Sequence, residues 1–350
     1  MKKKIVCCSI GMDIGKSSIH ICVKYQDDLT AVSIKSTRKF SNAPKGWEAL
    51  SKHLNKFLLP DLPYIIILEA TGVYYENIAY FLNDLDYEVC VILPKQSSYF
   101  AKTINQKSKN DDMDSKMLAQ MGIEKFGSLK RWNAPSECMR KLRQLVRYRL
   151  QLMKHGAQFK NQLHAVNHSH KPSQSVLLGL EQQISFIEAQ IQELEKEIEQ
   201  NVQMDPTLNQ GIQNICTIKG FGLMSAATIV AETYGFELFK SIPQLVSYAG
   251  YDVVQNQSGN RNGKTKISKK GNAKIRAAMH FPALVAVQTN EEHSIFFNRI
   301  FDRNPKIKMI GYVAVQRKLL VLAYSLYKNK TSYDPNYAKR KKEVMNETLV

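Results

Sequence analysis

The run Ile65-Ile66-Ile67-Leu68 stops abruptly at Glu69-Ala70-Thr71-Gly72. Consecutive apolar side chains leave no polar face, so this stretch reads as a strand covered on both sides, as in a helix-flanked parallel sheet. A second run, Val89-Cys90-Val91-Ile92-Leu93, ends at Pro94. Ahead of both, Ile5 leads through Asp13 to Gly15, and Ile19, Ile21 and Val23 alternate with His20, Cys22 and Lys24. That is the period of a half-buried strand. Ala31 to Ile34 predicts a third strand, and Trp47 to Phe57, Asn77 to Leu85 and Asp111 to Gly122 predict helices. Hairpin strands followed by alternating helix and strand predict an α/β domain over residues 1–134. Neither apolar run approaches the roughly 20 residues of a membrane span, which argues against an integral membrane protein.

The polar punctuation of those strands carries the chemistry. Asp13 and Glu69 each close an apolar strand, and Asp111 and Asp114, three apart, share one helix face. A charge at the end of an apolar strand is costly unless it is paired or bound to metal. Four carboxylates from separate elements suit Mg²⁺ ions, which take hard oxygen ligands and leave room for water and phosphate. Paired metals stabilise both attacking and leaving oxygens in phosphoryl transfer. The plainer reading of any single one is a surface acid or, for Asp111 and Asp112, a helix N-cap. Asp112 is expected to point off the Asp111/Asp114 face.

Charge identifies the partner class. Lys and Arg number 49 against 31 Asp and Glu, a net +18. The excess sits in three blocks: eight cations and no acid over 138–171, seven and no acid over 255–280, and eight against Asp302 alone over 299–330. Such blocks favour a polyanion, since phosphate contacts release counterions. Candidate nucleic-acid contacts are Arg140, Arg143 and Arg147 in the first block, and Arg261, Lys264, Lys266, Lys269, Lys270 and Arg276 in the second. The six cysteines are scattered with no C-x-x-C pair, which argues against disulfides and zinc and for a cytoplasmic protein.

The middle segment, 135–205, reads as a helical linker. Met139 to Val166 is one helix. After a polar break at His168-Ser169-His170-Lys171-Pro172, a second runs to Val202. Leu177, Leu180, Ile184, Ile187, Ile191, Leu194 and Ile198 recur every three or four residues, as in a coiled coil. An intermolecular coiled coil and an antiparallel hairpin both satisfy that register. The basic first helix and acidic second make pairing within one chain plausible. His164, His168 and His170 lack a Cys or acid neighbour and read as polar contacts. Residues 206–330 form a third, mainly α region. It opens with Ile218-Lys219-Gly220-Phe221-Gly222 between two apolar helices, like a helix-hairpin-helix. There Lys219 and the amides freed by Gly220 and Gly222 would meet phosphate; a plain tight turn fits the same residues. The tail, 331–350, is polar and basic and reads as frayed.

Three acidic motifs, Gly11-Met12-Asp13-Ile14-Gly15-Lys16, Leu68-Glu69-Ala70-Thr71-Gly72-Val73-Tyr74 and Lys109-Asn110-Asp111-Asp112-Met113-Asp114-Ser115, resemble those of the DEDD transposases of the insertion-sequence 110 group. Asn110 and Ser115 depart conservatively from that family's third motif. The stretches Ile218 to Gly222, Phe239 to Gly250, Gln257-Ser258-Gly259, and Ile267 to Asn272 with Arg276 are also similar; Lys219 and Tyr251-Asp252 depart. The resemblance implies an RNase H-like (RuvC-like) N-terminal domain, a coiled-coil linker and a C-terminal transposase domain. It implies Mg²⁺ at Asp13, Glu69, Asp111 and Asp114, and a serine, here Ser258, that links covalently to DNA. It also implies a structured guide (bridge) RNA that pairs with donor and target DNA. The assembly it implies is a homo-oligomer, dimer to tetramer, in which acidic and serine sites of different protomers meet.

Ser258 lies in a loop rich in Gly and Asn. A serine is a weak nucleophile without a base or metal, and no acid or His lies in the loop, so its activator must come from elsewhere. Nearby cations would neutralise charge developing on a scissile phosphate, and Ser268 reads as a phosphate contact. Two rivals stay open: a RuvC-type junction nuclease using metal-activated water, with Ser258 structural, and a non-catalytic nucleic-acid scaffold.

Overall fold

A computed structural model of the chain describes residues 4–105, 110–239, 241–254, 267–303 and 305–337, with the backbone alone of Gln257–Ser258, Arg261–Asn262 and Lys266. It forms two compact units, Met1–Ala134 and Pro135–Val350.

The first unit is a mixed α/β domain. Its strands are β1 (Ile5–Ile14), β2 (Ser18–Asp27), β3 (Val32–Ser41), β4 (Tyr64–Glu69) and β5 (Val89–Ile92), in the spatial order β3-β2-β1-β4-β5. The first three pair antiparallel as a meander, and β4 and β5 run parallel to β1. Its helices are α1 (Pro44–Leu54), α2 (Glu76–Asp84), α3 (Pro94–Thr103) and α4 (Asp111–Glu124). One apolar layer joins Ile10, Ile21 and Leu68 to Leu50 and Ile78; a second joins Ile67 and Cys90 to Leu118 and Met121. The expected α/β domain is therefore present, with two differences. β3 continues to Ser41 through Lys35, Arg38 and Lys39. An edge strand needs no apolar face and carries charge readily, so its period is invisible in the sequence. Pro94 starts α3 at the first helical position, where its missing N–H costs nothing.

The placement of α4 rests on two glycines. A Cβ at Gly11 of β1 would lie 2.1 Å from the Ser115 carbonyl oxygen and 2.3 Å from the Ala119 amide nitrogen. A Cβ at Gly122 would lie 2.0 Å from Ser9 Oγ. At Gly11 helix and strand thus touch backbone to backbone, and at Gly122 the helix backbone rests on the Ser9 and Ile67 side chains. The first turn of α4 is thereby laid beside the end of β1.

The second unit opens with α5 (Glu137–Asn167) and α6 (Gln174–Gln203), which pack antiparallel within the chain as a helical hairpin. The register expected of a coiled coil closes this seam: Leu177, Ile187 and Ile198 are buried against a face bearing Leu142, Val146 and Leu152. Ion pairs bridge the two helices at Lys141–Glu197 (2.8 Å), Arg149–Glu195 (2.7 Å) and Lys160–Glu188 (2.7 Å). Then follow α7 (Pro206–Cys216), α8 (Leu223–Thr233), α9 (Ile242–Ala249), the short strands β6 (Val253–Val254), β7 (Gln257–Ser258), β8 (Arg261–Asn262) and β9 (Lys266–Ile267), and α10 (Ala273–Ala278), α11 (His280–Thr289), α12 (Glu291–Asp302) and α13 (Lys308–Asn329). By length and composition α13 could cross a membrane, but its Val315, Leu319, Leu320 and Ala323 are fully buried in the core of this unit.

At the turn between α7 and α8, Gly220 has a packing role. Its φ is +102°, and a Cβ there would lie 2.8 Å from Val285 Cβ on α11. This glycine lets the turn close onto α11. Lys219 and Gly222 are exposed, and Gly222 is the N-cap of α8.

Gly11→Ala is expected to cost at least about 2 kcal/mol, because α4 must move off β1. Gly127→Ala, where an added Cβ meets nothing within 4 Å, should be near neutral. Urea unfolding of both variants measures the difference.

Candidate carboxylate site

Asp13 and Glu69 come together because β1 and β4 are parallel neighbours. Met12 pairs with Leu68, and the two acids are the next residues on their strands, at carboxyl ends where open α/β sheets hold their ligands. Asn110 caps α4, its Oδ1 accepting the Met113 amide at 2.8 Å, so Asp111 and Asp114 fall in the first turn. They lie near enough to be felt at Asp13. Burial, then repulsion from Asp111, Asp114 and Glu69, pushes the Asp13 carboxyl from its ordinary 3.8 up to about 6, against an opposing pull from His20. Among the described residues no three Asp, Glu, His or Cys side chains close into a ready-made metal cage; the carboxylates share a field rather than a coordination shell.

Three further side chains border these acids. His20 faces Asp13 across the β1–β2 pairing. Its Nε2 lies 3.4 Å from Asp111 Oδ2 and its Nδ1 3.5 Å from Asp112 Oδ1. Asp112, expected to point away, therefore borders the site, and it also pairs with Lys116 at 3.8 Å. Glu69 accepts a hydroxyl on each oxygen: Thr71 Oγ1 donates to Oε1 and Ser97 Oγ to Oε2, both at 2.5 Å. Thr71 stood in the Glu-Ala-Thr-Gly motif, and the hairpin pairing Ile14 with Ile19 sets His20 opposite Asp13. Ser97, on a helix absent from the sequence reading, left no signal.

The basic candidates divide. Arg147, expected at nucleic acid, is spent on a buried carboxylate. Its Nε and Nη2 donate to Glu232 Oε1 and Oε2 at 2.6 and 2.9 Å, and Glu232 is 0% exposed. Burial alone would raise the Glu232 pKa; Arg147 and the Asn272 amide (2.7 Å) outweigh it and hold the carboxyl low. Arg143 lies over the Tyr234 ring at 4.3 Å and donates to its hydroxyl. Arg276 donates to the Ala249 carbonyl at 2.8 Å, so it closes the end of α9. These three corrections share a cause: guanidinium satisfies several acceptors at once, which suits it to internal joints. Ser268, read as a phosphate contact, has its hydroxyl 3.5 Å from Asp252 Oδ2. Arg140, Lys269 and Lys270 are exposed. The backbone at Ser258 pairs with Arg261. The side chains of Ser258, Arg261 and Lys266, all of Lys264, and the tail from residue 338 lie outside the described residues.

Acids gathered at the ends of parallel strands, on a sheet flanked by helices, define a carboxylate-centred α/β domain followed by a mostly helical one. A transposase family model of the IS110 DEDD type matches residues 10–172, and one described as Transposase IS116/IS110/IS902 family matches residues 212–298. The chain belongs to the IS110 family of transposases, enzymes that recombine DNA. It is 24% identical over 326 residues to the pilin gene-inverting protein of Moraxella bovis, covering 93% of this chain and 97% of that one. To the transposase of insertion sequence element IS1328 from Yersinia enterocolitica it is 23% identical, over 81% and 85% of the two chains. Among solved structures, the fowlpox virus Holliday junction resolvase aligns over 34% of this chain and 99% of its own, at 16% identity and a TM-score of 0.26.

Two outcomes follow. A folded-state pKa near 6 against 3.8 means that Asp13 favours folding below about pH 4 and that this contribution is lost as pH rises through 6. The ceiling is about 3 kcal/mol (2.2 units at 1.36 each), and partial exposure brings it to about 1–2. In divalent-free buffer Asp13→Asn should therefore be more stable than the parent by that amount at pH 8 and indistinguishable at pH 4, as followed by urea melts. Separately, Arg147→Ala should cost about 3–5 kcal/mol by leaving Glu232 buried and unpaired; calorimetry reads this without any nucleic acid.

Proposed function

We propose that this transposase cuts and rejoins the DNA of its own insertion sequence through a carboxylate site and a serine–DNA ester. The observation that carries the first half is electrostatic. Asp13, Glu69, Asp111 and Asp114 arrive from three elements, and burial together with repulsion from the other three pushes Asp13 up to about 6. Like charges are gathered at such a cost where a cation or a developing charge offsets them. The donor set, hard oxygens only, fits Mg²⁺. When bound, Mg²⁺ supplies positive charge to the oxygens of a phosphate in transfer.

The residues of the chain do the positioning. Thr71 and Ser97 fix both oxygens of Glu69, so that acid is oriented before any ligand arrives, and His20 Nε2 stands 3.4 Å from Asp111 Oδ2. Ser258 Oγ attacks the backbone phosphorus. The Oγ–P bond forms as one bridging P–O bond breaks, the serine proton leaves to a base, and the departing DNA oxygen ends as a hydroxyl. Attack by a second DNA hydroxyl reverses these bond changes and reseals the strand. Because one phosphodiester is exchanged for another, no external energy source is required. The sheet is read as an RNase H-like domain, and the turn at Lys219 and Gly222 as a phosphate contact of helix-hairpin-helix type. Exposed Arg140, Lys269 and Lys270, with Arg261, Lys264 and Lys266, are read as contacts to DNA and to a structured guide RNA, with the chain acting as a homo-oligomer.

Ser258→Ala is expected to abolish both strand exchange and the protein–DNA adduct seen on denaturing gels, while binding to DNA persists. Cleavage that continues without any adduct would instead indicate hydrolysis by water at the acidic site.

A further inference from the structure

The face of the sheet on which the acids lie is only partly covered. Along β2, Ile19, Ile21 and Val23 enter the core shared with α1 and α2, so His20 and Lys24 face the other way. Both meet α4 there: His20 through Asp111 and Asp112, and Lys24 through Gln120 Oε1 at 2.8 Å. α4 spans β2, β1 and β4. The next strand out, β3, is the edge of the sheet, and its residues on this face are exposed. Lys39 pairs in register with His20, Thr37 with Cys22, and Ile34 with Lys24. Ile34 is 52% exposed and Val32 37%.

Asp13, His20 and Lys39 therefore form one row across three strands. Strands lie about 4.8 Å apart, so Lys39 stands roughly 10 Å from Asp13 along the row. A nucleic-acid strand advances about 3.4 Å per nucleotide, which sets Lys39 two to three nucleotides from a phosphate seated at the acids. The β3 segment holds three cations and no acid. Two of them are turned to rings on the opposite face: Lys35 sits over Tyr25 at 5.6 Å and Arg38 over Phe40 at 5.4 Å. Lys39 has no ion-pair, hydrogen-bond or ring partner among the described residues.

We propose that this uncovered face of β3 is a shelf that carries a DNA strand into the carboxylate site. Lys39 grips a phosphate flanking the scissile one, and Thr37, Ile34 and Val32 form the floor beneath the sugars. The inference rests on the reading of the acids as the DNA-cutting site. A lone exposed ammonium at the head of an apolar strip complements a strand of charged phosphates and less polar sugars. It also gives the acids what they lack, an attraction for a substrate that their own charge repels.

The test is the salt dependence of duplex-DNA binding by the full chain. Lys39→Ala should lower the slope of log K against log salt by about one, the loss of one phosphate contact, and weaken binding about three- to tenfold near 0.15 M salt. Lys39→Arg should restore both. Lys35→Ala, on the other face, should change neither, and all three variants should melt with the parent because these side chains are exposed. An unchanged slope for Lys39→Ala, or an equal loss for Lys35→Ala, overturns the shelf while leaving the cutting reading intact. A parent chain that binds RNA but no DNA overturns both. Cutting that survives Asp13→Asn, in a variant that still binds DNA with the Lys39-dependent slope, overturns the cutting reading alone.

Discussion

The backbone contact between α4 and β1 is the constraint from which the site follows. Gly11 removes the side chain that would hold the helix off the strand, so that Ser115 and Ala119 come down onto it, and Gly122 lets the helix settle on Ser9 and Ile67. Asp111 and Asp114 precede those residues by one turn, and Asp13 follows Gly11 by two. Any residue larger than glycine would lift the first turn of the helix away from the carboxyl ends of β1 and β4. Two small residues in the core thus set the spacing of four charges outside it.

Those charges are held in tension. Repulsion and burial act together at Asp13, and the surrounding groups act to orient rather than to neutralise. Hydroxyls from Thr71 and Ser97 saturate Glu69 without adding charge, and His20 lies near two acids of α4 without closing on either. A salt bridge to a lysine or arginine would have relieved the repulsion at Asp13. The arrangement instead retains an unfavourable field there.

How much of this was legible depended on whether a residue's role was local. Strand ends announced themselves where an apolar run met an acid, so Asp13 and Glu69 were readable, and Asp111 and Asp114 followed from helical spacing. The two helices α5 and α6 were readable from their apolar register, and complementary charge favoured their pairing, while the choice between a hairpin and an intermolecular coiled coil stayed open. Roles that depend on distant packing were not. The packing of Gly220 on α11 was hidden because nothing nearby in sequence names Val285 as its neighbour. Ser97 reaches Glu69 from a helix opened by a proline that, read along the chain, only ended a strand. The continuation of β3 from Lys35 to Ser41 hid behind charged residues because an edge strand buries little.

The basic blocks teach the same lesson with more consequence, since net charge is the main argument for a polyanion. In the first block Lys141, Arg149 and Lys160 neutralise acids of α6, Arg147 neutralises Glu232, and Arg143 is held by Tyr234. Much of that block is paired within the fold, and acid-free sequence proved a poor guide to acid-free space. Cations with no such obligation in the described residues remain in the second block at Lys269 and Lys270, and Lys39 falls where the sequence showed no block. A single lysine on an uncovered edge, aligned with the acids by strand register, can do more to place a phosphate than several arginines already satisfied inside the fold. Positive charge available to DNA is therefore a property of strand order and helix pairing, and counting residues along the chain overstates it in one domain while missing it in the other.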